Sequence, residues 1–481
     1  MEASFVIIGG GISGVTCAEQ VYALAPQESV VLITASPVVK TVSNVSRLTR
    51  HLEAFDVSEK PLACLEQKLT NLTVVRGFAH EIDVDAKIVR LVNGAEVRYK
   101  RLCVTTGGQA RMVAQHPLVL GIRDTESVRV LQGKLRGARR VMIIGNGGIA
   151  TELVYELEGL EIVWAIKHSS ISATFVDPGA AEFFLSRLEG KRKGKEEGEE
   201  DDDDGGGGVQ DRKPEGGACG SALGPDWHHD MLLSSGEGHS SRKVVILEKE
   251  CWLDRLLSPE EAKGEETTGD WPVFVKLSNG KVYGVDFVVS ATGVEPVVPK
   301  VVSGQSMALA MAPDGGILVD DRLRSSVTHV FAAGDACTPN WPLAKHWFQM
   351  RLWSQARTMG AYVGRSMLAD LKQDEGEDDA LMEFAFEIFA HVTQFYGYKT
   401  VFLGLFNGQG LGTDYEILLR VTKGREYVKT VMQDGKMQGA LLIGDTGLEE
   451  TFENLILNQL DLSVYGEDLL DPGIDIEDYF D

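Results

Sequence analysis

Two turns of this chain carry glycines at the spacing that binds phosphate groups. The first is Gly9-x-Gly11-x-x-Gly14, which follows the apolar run 5–8 and precedes a predicted helix over residues 15–24. In such a unit the first glycine makes a tight turn, the second lets the backbone approach a pyrophosphate, and the third allows close helix–strand packing. The N–H groups and dipole of the following helix favour phosphates. The pattern predicts dinucleotide binding; an ordinary βα turn is the simpler alternative.

A second unit of the same kind begins near residue 139. Strand-like residues 141–144 lead into Gly145-x-Gly147-x-x-Ala150, with a predicted helix over 151–157 and a strand over 161–166. Two such units in one chain are far more specific than one, because chance rarely duplicates strand, glycines and helix together. The chain is therefore predicted to bind two dinucleotides.

The residues that follow the second strand of each unit would meet the adenosine ribose. An acidic residue is usual there, but the first unit has Thr34 and Ser36, whose hydroxyl groups carry no charge. The second unit has Lys167 and His168. A cation at that point favours or tolerates a 2′-phosphate, so we predict NAD(P)H as the ligand. A solvated strand end is the alternative reading for Lys167.

One carboxylate stands at the end of a later strand. Residues 329–333 end at Gly334 and Asp335, ahead of a predicted helix over 349–367. In an open α/β sheet the carboxyl ends of the strands face the ligand. Asp335 is thus a candidate ligand contact, and capping of a helix by Asp is the alternative.

Composition bounds the remaining choices. The 481 residues suggest about two to four domains. A net charge of -24 argues against nucleic-acid or anionic-membrane binding through bulk charge, and no apolar run approaches the roughly 20 residues of a membrane span. The 6 cysteines show neither C-x-x-C nor metal-ligand spacing. We expect a reducing compartment, the cytosol or the nucleus.

Taken in order, these glycine turns resemble those of the pyridine nucleotide-disulfide oxidoreductases, the flavoproteins with two dinucleotide-binding domains. The motifs that carry the resemblance are Gly9-x-Gly11-x-x-Gly14, Thr105-Thr106-Gly107-Gly108, Gly145-x-Gly147-x-x-Ala150, Ala291-Thr292-Gly293 and Gly334-Asp335. The resemblance implies an α/β fold with two Rossmann-like domains, which bind FAD and NAD(P)H, and a smaller α+β C-terminal domain.

The predicted boundaries follow from this resemblance and from composition. Residues 1–118 and 290–370 form the FAD-binding domain, 119–289 the NAD(P)H-binding domain, and 380–481 a C-terminal interface domain with an acidic tail. A disordered acidic insertion is predicted near 188–242, since that segment is too polar to bury a core.

The resemblance, combined with the residue patterns above, assigns a set of cofactor contacts. For FAD they are Gly9, Gly11, Ile12, Gly14, Thr34, Ser36, Ala79, Thr106, Gly107, Gly334 and Asp335. For NAD(P)H they are Gly145, Gly147, Gly148, Glu152, Lys167 and Gly293. No catalytic side chain is assigned, because hydride transfer from nicotinamide to flavin needs no general base.

The family's redox cysteine pair is missing, since residues 37–60 contain no cysteine. Disulfide reduction is therefore excluded as the expected activity, and three readings stay open: an FAD-dependent NAD(P)H oxidoreductase, a flavin-binding protector or redox sensor with little turnover, and a diaphorase-like reductase of a small acceptor. A closer resemblance within the family, in residues 349–357 and 448–481, implies an antioxidant role that protects the tRNA ligase complex in nucleus and cytoplasm.

Overall fold

The structure is a computed structural model, and it describes residues 1–193, 220–221, 224–225, 243–265, 269–304, 308–376 and 382–473. Of the predicted insertion 188–242, only residues 188–193, 220–221 and 224–225 are described, and the acidic tail beyond 473 also lies outside the described residues. The first residues of that predicted insertion, 188–193, are helical.

Seven α-helices and 29 strands lie in the described residues, and several runs of consecutive strands separate the helices. The helices are α1 (Ile12–Leu24), α2 (Leu62–Lys68), α3 (Thr125–Leu135), α4 (Gly148–Glu156), α5 (Pro178–Lys193), α6 (Trp353–Asp374) and α7 (Glu449–Asn458). The strands of the N-terminal half are β1 (Glu2–Ile8), β2 (Val30–Thr34), β3 (Val38–Arg47), β4 (Glu53–Pro61), β5 (Leu72–Arg76), β6 (Ala79–Asp83), β7 (Ile88–Leu91), β8 (Glu96–Val104), β9 (Gly108–Ala110), β10 (Val119–Gly121), β11 (Arg140–Ile144), β12 (Glu161–Ala165), β13 (Gly220–Ser221) and β14 (Gly224–Pro225). Those of the C-terminal half are β15 (Val244–Glu248), β16 (Leu253–Leu257), β17 (Val273–Leu277), β18 (Val282–Val285), β19 (Phe287–Ser290), β20 (Val294–Pro296), β21 (Lys300–Val302), β22 (Ile317–Val319), β23 (Val330–Ala332), β24 (Cys337–Pro339), β25 (Ala390–Phe395), β26 (Tyr398–Gly404), β27 (Glu416–Thr422), β28 (Glu426–Gln433) and β29 (Lys436–Ile443).

The chain forms two compact units. The first unit contains Met1–Val45, Asp56–Gln109 and Val294–Phe389, and the second contains Ser46–Phe55, Ala110–Gly293 and Ala390–Asp481. Each unit therefore includes one of the two glycine turns.

The sheet of the first unit has the strand order β21-β6-β7-β8-β1-β2-β5, with β23 also paired to β8. Strands β1, β2, β5, β8 and β23 run parallel to one another. Apolar residues of β1 and β2 are almost fully buried, as expected for central strands covered on both faces. Asn-Gly favours a hairpin turn, so the sequence predicts a hairpin around Asn93-Gly94. This prediction is confirmed, because β7 pairs antiparallel with β8.

One strand is longer than the sequence pattern indicates. The sequence pattern predicts one strand over residues 95–99 and another over 102–108 that ends in a glycine turn. The structure corrects this with a single strand, β8. Arg101 is only 2% exposed and forms ion pairs with Asp370 and Asp374 at the end of α6. A paired guanidinium is thus accommodated inside the unit.

The second unit contains a parallel sheet of order β10-β19-β11-β12-β15, a three-stranded sheet β16-β17-β18 and an antiparallel sheet β25-β26-β29-β28-β27. Asp-Gly likewise favours a hairpin turn, so the sequence predicts one at Asp434-Gly435. This prediction is confirmed: both residues have positive φ, 52° and 68°, and they join β28 to β29. Such a pair of positive φ angles gives the type I′ turn that Asp-Gly favours.

A buried ion pair joins the antiparallel sheet to the start of α5. Lys429 of β28 is 1% exposed, and its ammonium group donates to the Asp177 carboxylate and, at 2.7 Å, to Asn407 Oδ1. Tyr427 also donates to Asp177 at 3.1 Å. Burial raises the pKa of Asp177, but the charge of Lys429 and its hydrogen bonds outweigh burial and leave that pKa below its ordinary value.

We expect Asp177→Asn to lower the free energy of unfolding by roughly 3–5 kcal/mol, since it leaves a buried ammonium group without its counter-charge. Urea titration at neutral pH measures the loss, with exposed Asp445→Asn as the matched control. Because the folded-state pKa of Asp177 is lowered, its contribution is complete above the unfolded value of about 3.9 and is lost as the pH falls through the folded value. If the difference in free energy of unfolding between the wild type and Asp177→Asn were as large in acid as at neutral pH, this role would be contradicted.

The hairpin tip between β3 and β4 is fixed within the second unit. Thr49 donates to the carboxylate of Glu453 in α7, and the backbone N–H of His51 donates to the same carboxylate at 3.1 Å. Glu453 is 1% exposed. The segment in which the resemblance implies a redox cysteine pair is thus a strand pair without cysteine, and its tip contacts α7.

Candidate functional sites in the two units

The first glycine turn requires glycine at two of its positions. Gly9 has φ +126°, and a Cβ there would lie 2.1 Å from the carbonyl oxygen of Thr105. A Cβ at Gly14 would lie 1.9 Å from the carbonyl oxygen of Gly9. Both contacts are with backbone, which cannot move aside, so these glycines allow β1, β8 and α1 to approach closely.

Gly11 differs from these two, because a Cβ there would meet nothing within 4 Å. It is the N-cap of α1, where the first N–H groups of the helix have no intrahelical acceptor. The hydroxyl group of Ser13, in the first turn, is buried and has no hydrogen-bond partner within the described residues. Open space, helix N–H groups without an intrahelical acceptor and an unpaired hydroxyl fit the pyrophosphate of FAD. Ile12, also in this turn, is buried.

The end of β2 carries the two predicted ribose contacts. The Thr34 hydroxyl oxygen accepts a hydrogen bond from Ser36 N at 3.3 Å, and that of Ser36 accepts one from Val38 N at 3.3 Å. Thr34 is buried, whereas Ser36 is partly exposed. Gly77 N donates to the Thr34 carbonyl at 2.8 Å, and the buried Ala79 begins β6 two residues later. This strand edge is therefore held by local hydrogen bonds.

The turn after β8 holds the two residues predicted for the flavin side. Thr106 donates its hydroxyl to the carbonyl of Val297, and the Gly107 carbonyl accepts from Val297 N at 3.0 Å. Gly107 has φ +71°. Hydrogen bonds on both sides fix this turn.

Asp335 lies in the short 3-10 helix Gly334–Ala336 that follows β23, and it is 6% exposed. A Cβ on Gly334 would lie 3.1 Å from Ser13 Cβ, which places this helix beside the N-terminus of α1. The structure thus brings together the predicted FAD contacts of the first glycine turn and the acidic residue that sequence separates from it by more than 300 positions.

Sequence reasoning missed the residue that supports Asp335. Arg351 Nε donates to the Asp335 carbonyl at 3.1 Å, and its Nη2 lies 2.7 Å from Asp314 Oδ2. Burial raises the pKa of Asp314, but hydrogen bonds from Arg351, Gly316 and Thr338 bring it below its ordinary value. Arg351 therefore keeps an ionised partner. The pattern held no signal for it beyond a charged residue near the start of an apolar helix.

We expect Asp335→Ala to reduce the affinity for FAD by roughly 1.5–3 kcal/mol, the range for a hydrogen bond to a charged group. The FAD-to-protein absorbance ratio after purification, followed by titration of the apoprotein with FAD, measures this loss. Exposed Asp321→Ala is the control in the same unit. Full yellow colour in Asp335→Ala would contradict the assignment.

The second glycine turn repeats the geometry of the first. Gly145 has φ +141°, and a Cβ there would lie 2.1 Å from the Ala291 carbonyl oxygen. Gly147 is the N-cap of α4, which begins at Gly148, and a Cβ on Gly147 would meet nothing within 4 Å. Ala150, the third small residue, is fully buried. Open space at a helix N-terminus again fits a pyrophosphate, here that of NAD(P)H.

Three further predicted contacts lie around this turn in the second unit. Lys167 is exposed just after β12. Glu152 is buried in α4. Gly293 has φ +103°, its Cβ position is open, and its carbonyl accepts from Arg111 N at 2.9 Å. The residue-level contacts in both units stay predictions.

Asn146 is a second residue that sequence reasoning missed. It lies between the glycines, is 6% exposed, and contacts the segment after β12: Nδ2 is 3.1 Å from His168 Nδ1 and donates to the Ser170 carbonyl at 2.8 Å. The adjacent Gly145 carbonyl accepts from Trp164 Nε1 at 2.8 Å. These bonds join the second glycine turn to the segment after β12, where the adenosine ribose is predicted to lie.

The described cysteines show no disulfide. Cys17, Cys103, Cys251 and Cys337 are buried and Cys64 is exposed. Burial, with a contribution from neighbouring Cys17, raises the pKa of Cys103 well above its ordinary value, and burial likewise raises the pKa of Cys337. Among the described residues, no group of three or more His, Cys, Asp or Glu side chains is arranged to hold a metal ion. None of the helices described combines the length and apolarity needed for a membrane span.

The family described as "Pyridine nucleotide-disulphide oxidoreductase" matches residues 3–192 and 256–360 of this chain. A Mus musculus protein named "Pyridine nucleotide-disulfide oxidoreductase domain-containing protein 1" is 47% identical over 501 residues, which cover 99% of this chain and 98% of its own. Its Homo sapiens counterpart is 46% identical over 499 residues, with the same coverage. An Escherichia coli O9:H4 (strain HS) protein, "Nitric oxide reductase FlRd-NAD(+) reductase", is 25% identical over 264 residues, 54% of this chain and 52% of its own.

Solved structures resemble the whole chain in fold. A ferredoxin reductase for the CYP199A2 system from Rhodopseudomonas palustris is 17% identical with a TM-score of 0.67, covering 99% of both chains. An NAD-dependent persulfide reductase from A. fulgidus is 17% identical with a TM-score of 0.64, covering 96% of this chain and 78% of its own. The predicted α/β fold class with Rossmann-like domains is confirmed. The chain belongs to the pyridine nucleotide-disulfide oxidoreductase family and is an oxidoreductase whose cofactors are FAD and NAD(P)H.

Proposed function

We propose that this protein oxidises NAD(P)H with FAD as the immediate acceptor, and that the electrons then leave without a protein dithiol. When bound, NAD(P)H would supply the hydride and FAD its acceptor, so the hydride-transfer chemistry would come from the cofactors. The residues of this chain bind and orient them: the open N-caps Gly11 and Gly147 accommodate a pyrophosphate, and buried Asp335 offers a carboxylate to the ribityl hydroxyls.

The observation that carries the proposal is the composition of residues 38–61. In this segment, which holds the redox cysteines in the family, β3 and β4 contain no cysteine. The nearest described thiol in sequence is exposed Cys64 in α2, and a lone thiol does not form an intramolecular relay. The acceptor is therefore oxygen, a quinone-like compound or a protein partner.

Rapid mixing under anaerobic conditions, followed by admission of air, tests this proposal. We expect NADPH or NADH to bleach the flavin absorbance and air to restore it with continued consumption of the nucleotide. Bleaching with negligible turnover in air, and with no turnover when a quinone is added, would instead support the low-turnover protector. A flavin that NAD(P)H cannot reduce would overturn both.

For the biological role we propose protection of the tRNA ligase complex from oxidative inactivation, in the nucleus and the cytoplasm. The support is the resemblance within the family, now extended by 47% identity over 99% of the chain to a mouse relative. The test is ligase activity after exposure to oxidant with this protein and NADPH, compared with a Gly147→Val variant. Equal protection by both proteins would reject a role that needs the nucleotide.

Lys167 offers a test of nucleotide preference. Its exposed ammonium follows β12, where the 2′-phosphate of NADPH would lie. We expect Lys167→Glu to raise KM for NADPH about tenfold, through loss of a favourable charge and gain of a repulsive one, with little change for NADH. Steady-state kinetics with both nucleotides measure the ratio. Exposed Lys249→Glu is the control, and an unchanged ratio in Lys167→Glu would reject this role.

A further inference from the structure

Asn146 has only one arrangement that satisfies its hydrogen bonds. Its Oδ1 accepts from Ser172 N at 2.6 Å, and its Nδ2 donates to the Ser170 carbonyl at 2.8 Å. A backbone N–H can only donate and a carbonyl can only accept, so these two partners fix the orientation of the amide. Nδ2 therefore presents its second N–H toward the ring of His168.

This orientation determines the protonation of His168. Nδ1 of the ring lies 3.1 Å from Asn146 Nδ2, and it must accept the hydrogen bond that Nδ2 donates. An accepting Nδ1 carries no proton, so the proton of the neutral ring is on Nε2. In an imidazolium Nδ1 would also carry a proton, and its N–H would face the N–H of Asn146 Nδ2.

The surroundings of the ring favour the same form. Burial lowers the pKa of His168, and the charge of the adjacent Lys167 lowers it further. The turn after β15 contributes Glu250, whose backbone N–H donates to the His168 carbonyl at 3.3 Å. The segment is also held at Ser172, whose hydroxyl is 2.8 Å from that of Thr151 in α4.

His168 lies 21 positions after Gly147, where a residue of this fold usually meets the ribose 2′ position. We propose that Asn146 is a positioning residue that holds His168 neutral. We also propose that His168 donates a hydrogen bond from Nε2–H to the 2′ substituent of the adenosine ribose. A neutral donor suits a hydroxyl in NADH as well as a phosphate in NADPH, which leaves discrimination to Lys167. This inference rests on NAD(P)H binding at the second glycine turn.

The first test needs no pyridine nucleotide. Imidazole 15N shifts of the holoprotein are assigned by comparison with His168→Ala. They should show an unprotonated Nδ1 and a protonated Nε2 from about pH 8 to below the ordinary histidine pKa of about 6.5. In Asn146→Asp the new carboxylate accepts from Nδ1–H and stabilises the imidazolium, so the pKa of His168 should rise. A wild-type ring that titrates near 6.5, or one protonated on Nδ1, would overturn the inference.

The second test measures NAD+ and NADP+ binding by calorimetry. His168→Ala should lower the affinities for NAD+ and NADP+ about three- to tenfold, which is the effect of one lost hydrogen bond. The 2′-phosphate of NADP+ itself titrates near pH 6, and a His168 that stays neutral adds no further pH dependence. The NADP+ affinities of the wild type and of His168→Ala should therefore follow the same pH profile. In Asn146→Asp the imidazolium of His168 should form at low pH, so the affinity for NADP+ should rise there relative to that for NAD+. The double variant Asn146→Asp/His168→Ala should not show this rise. Undiminished binding by His168→Ala would reject the contact, whereas failure of both ligands to bind wild type would reject the site itself.

Discussion

Gly11→Val is expected to give a folded protein that purifies without yellow colour. A Cβ at Gly11 meets no protein atom within 4 Å, and Gly11 has φ -80°, so valine fits the backbone. Its side chain fills the space that a pyrophosphate needs at the N-terminus of α1. We expect FAD affinity to fall at least about a hundredfold, or about 2.7 kcal/mol.

The measurement is titration of the apoprotein with FAD, with far-UV circular dichroism and urea titration as checks on folding. Binding of NADP+ in the second unit should persist and serves as an internal control. Gly9→Val is the contrasting variant, because its Cβ would lie 2.1 Å from a backbone oxygen and we expect it to misfold. A yellow Gly11→Val protein with normal FAD content would contradict the predicted site.

Gly147→Val is expected to leave FAD bound and to abolish its reduction by NAD(P)H. Gly147 has φ -96° and caps α4, and the space around its Cβ is open, so the substitution should spare the fold. We expect the rate of flavin reduction at low nucleotide concentration to fall at least about a hundredfold. Reduction by dithionite should be unaffected, because it needs no nucleotide site.

Stopped-flow absorbance of the flavin under anaerobic conditions measures this effect. Gly133→Ala is the matched control, since that glycine lies in α3 and a Cβ there also meets nothing within 4 Å. Reduction of Gly147→Val at the wild-type rate would count against the second dinucleotide site while leaving the first untouched.

Local patterns account for the parts of the fold that sequence predicted. The glycine turns at Gly9 and Gly145 could be recognised because strand, glycines and helix are contiguous in the chain and each glycine has a defined steric purpose. The turns at Asn93-Gly94 and Asp434-Gly435 were predictable for the same reason, since two adjacent residues determine the turn.

Contacts between distant residues could not be predicted in this way. Arg101 interrupted an apolar pattern, and only its pairing with α6 explains why β8 continues through it. The bond from His51 to Glu453 joins positions 402 residues apart. Likewise, the roles of Arg351 and Asn146 depend on tertiary hydrogen bonds that leave no spacing signal. The helix predicted over 349–367 runs instead from Trp353 to Asp374, because helix ends are weakly encoded.

The inaccessible thiols of the first unit have a consequence for survival under oxidants. Thiolates rather than thiols react with peroxide, and both burial and a raised pKa keep Cys103 and Cys337 in the unreactive form. If the proposed activity passes electrons to oxygen, the protein generates peroxide that can attack its own reactive thiols. We expect the buried, protonated thiols to resist oxidation by this peroxide, and exposed Cys64 to be oxidised first.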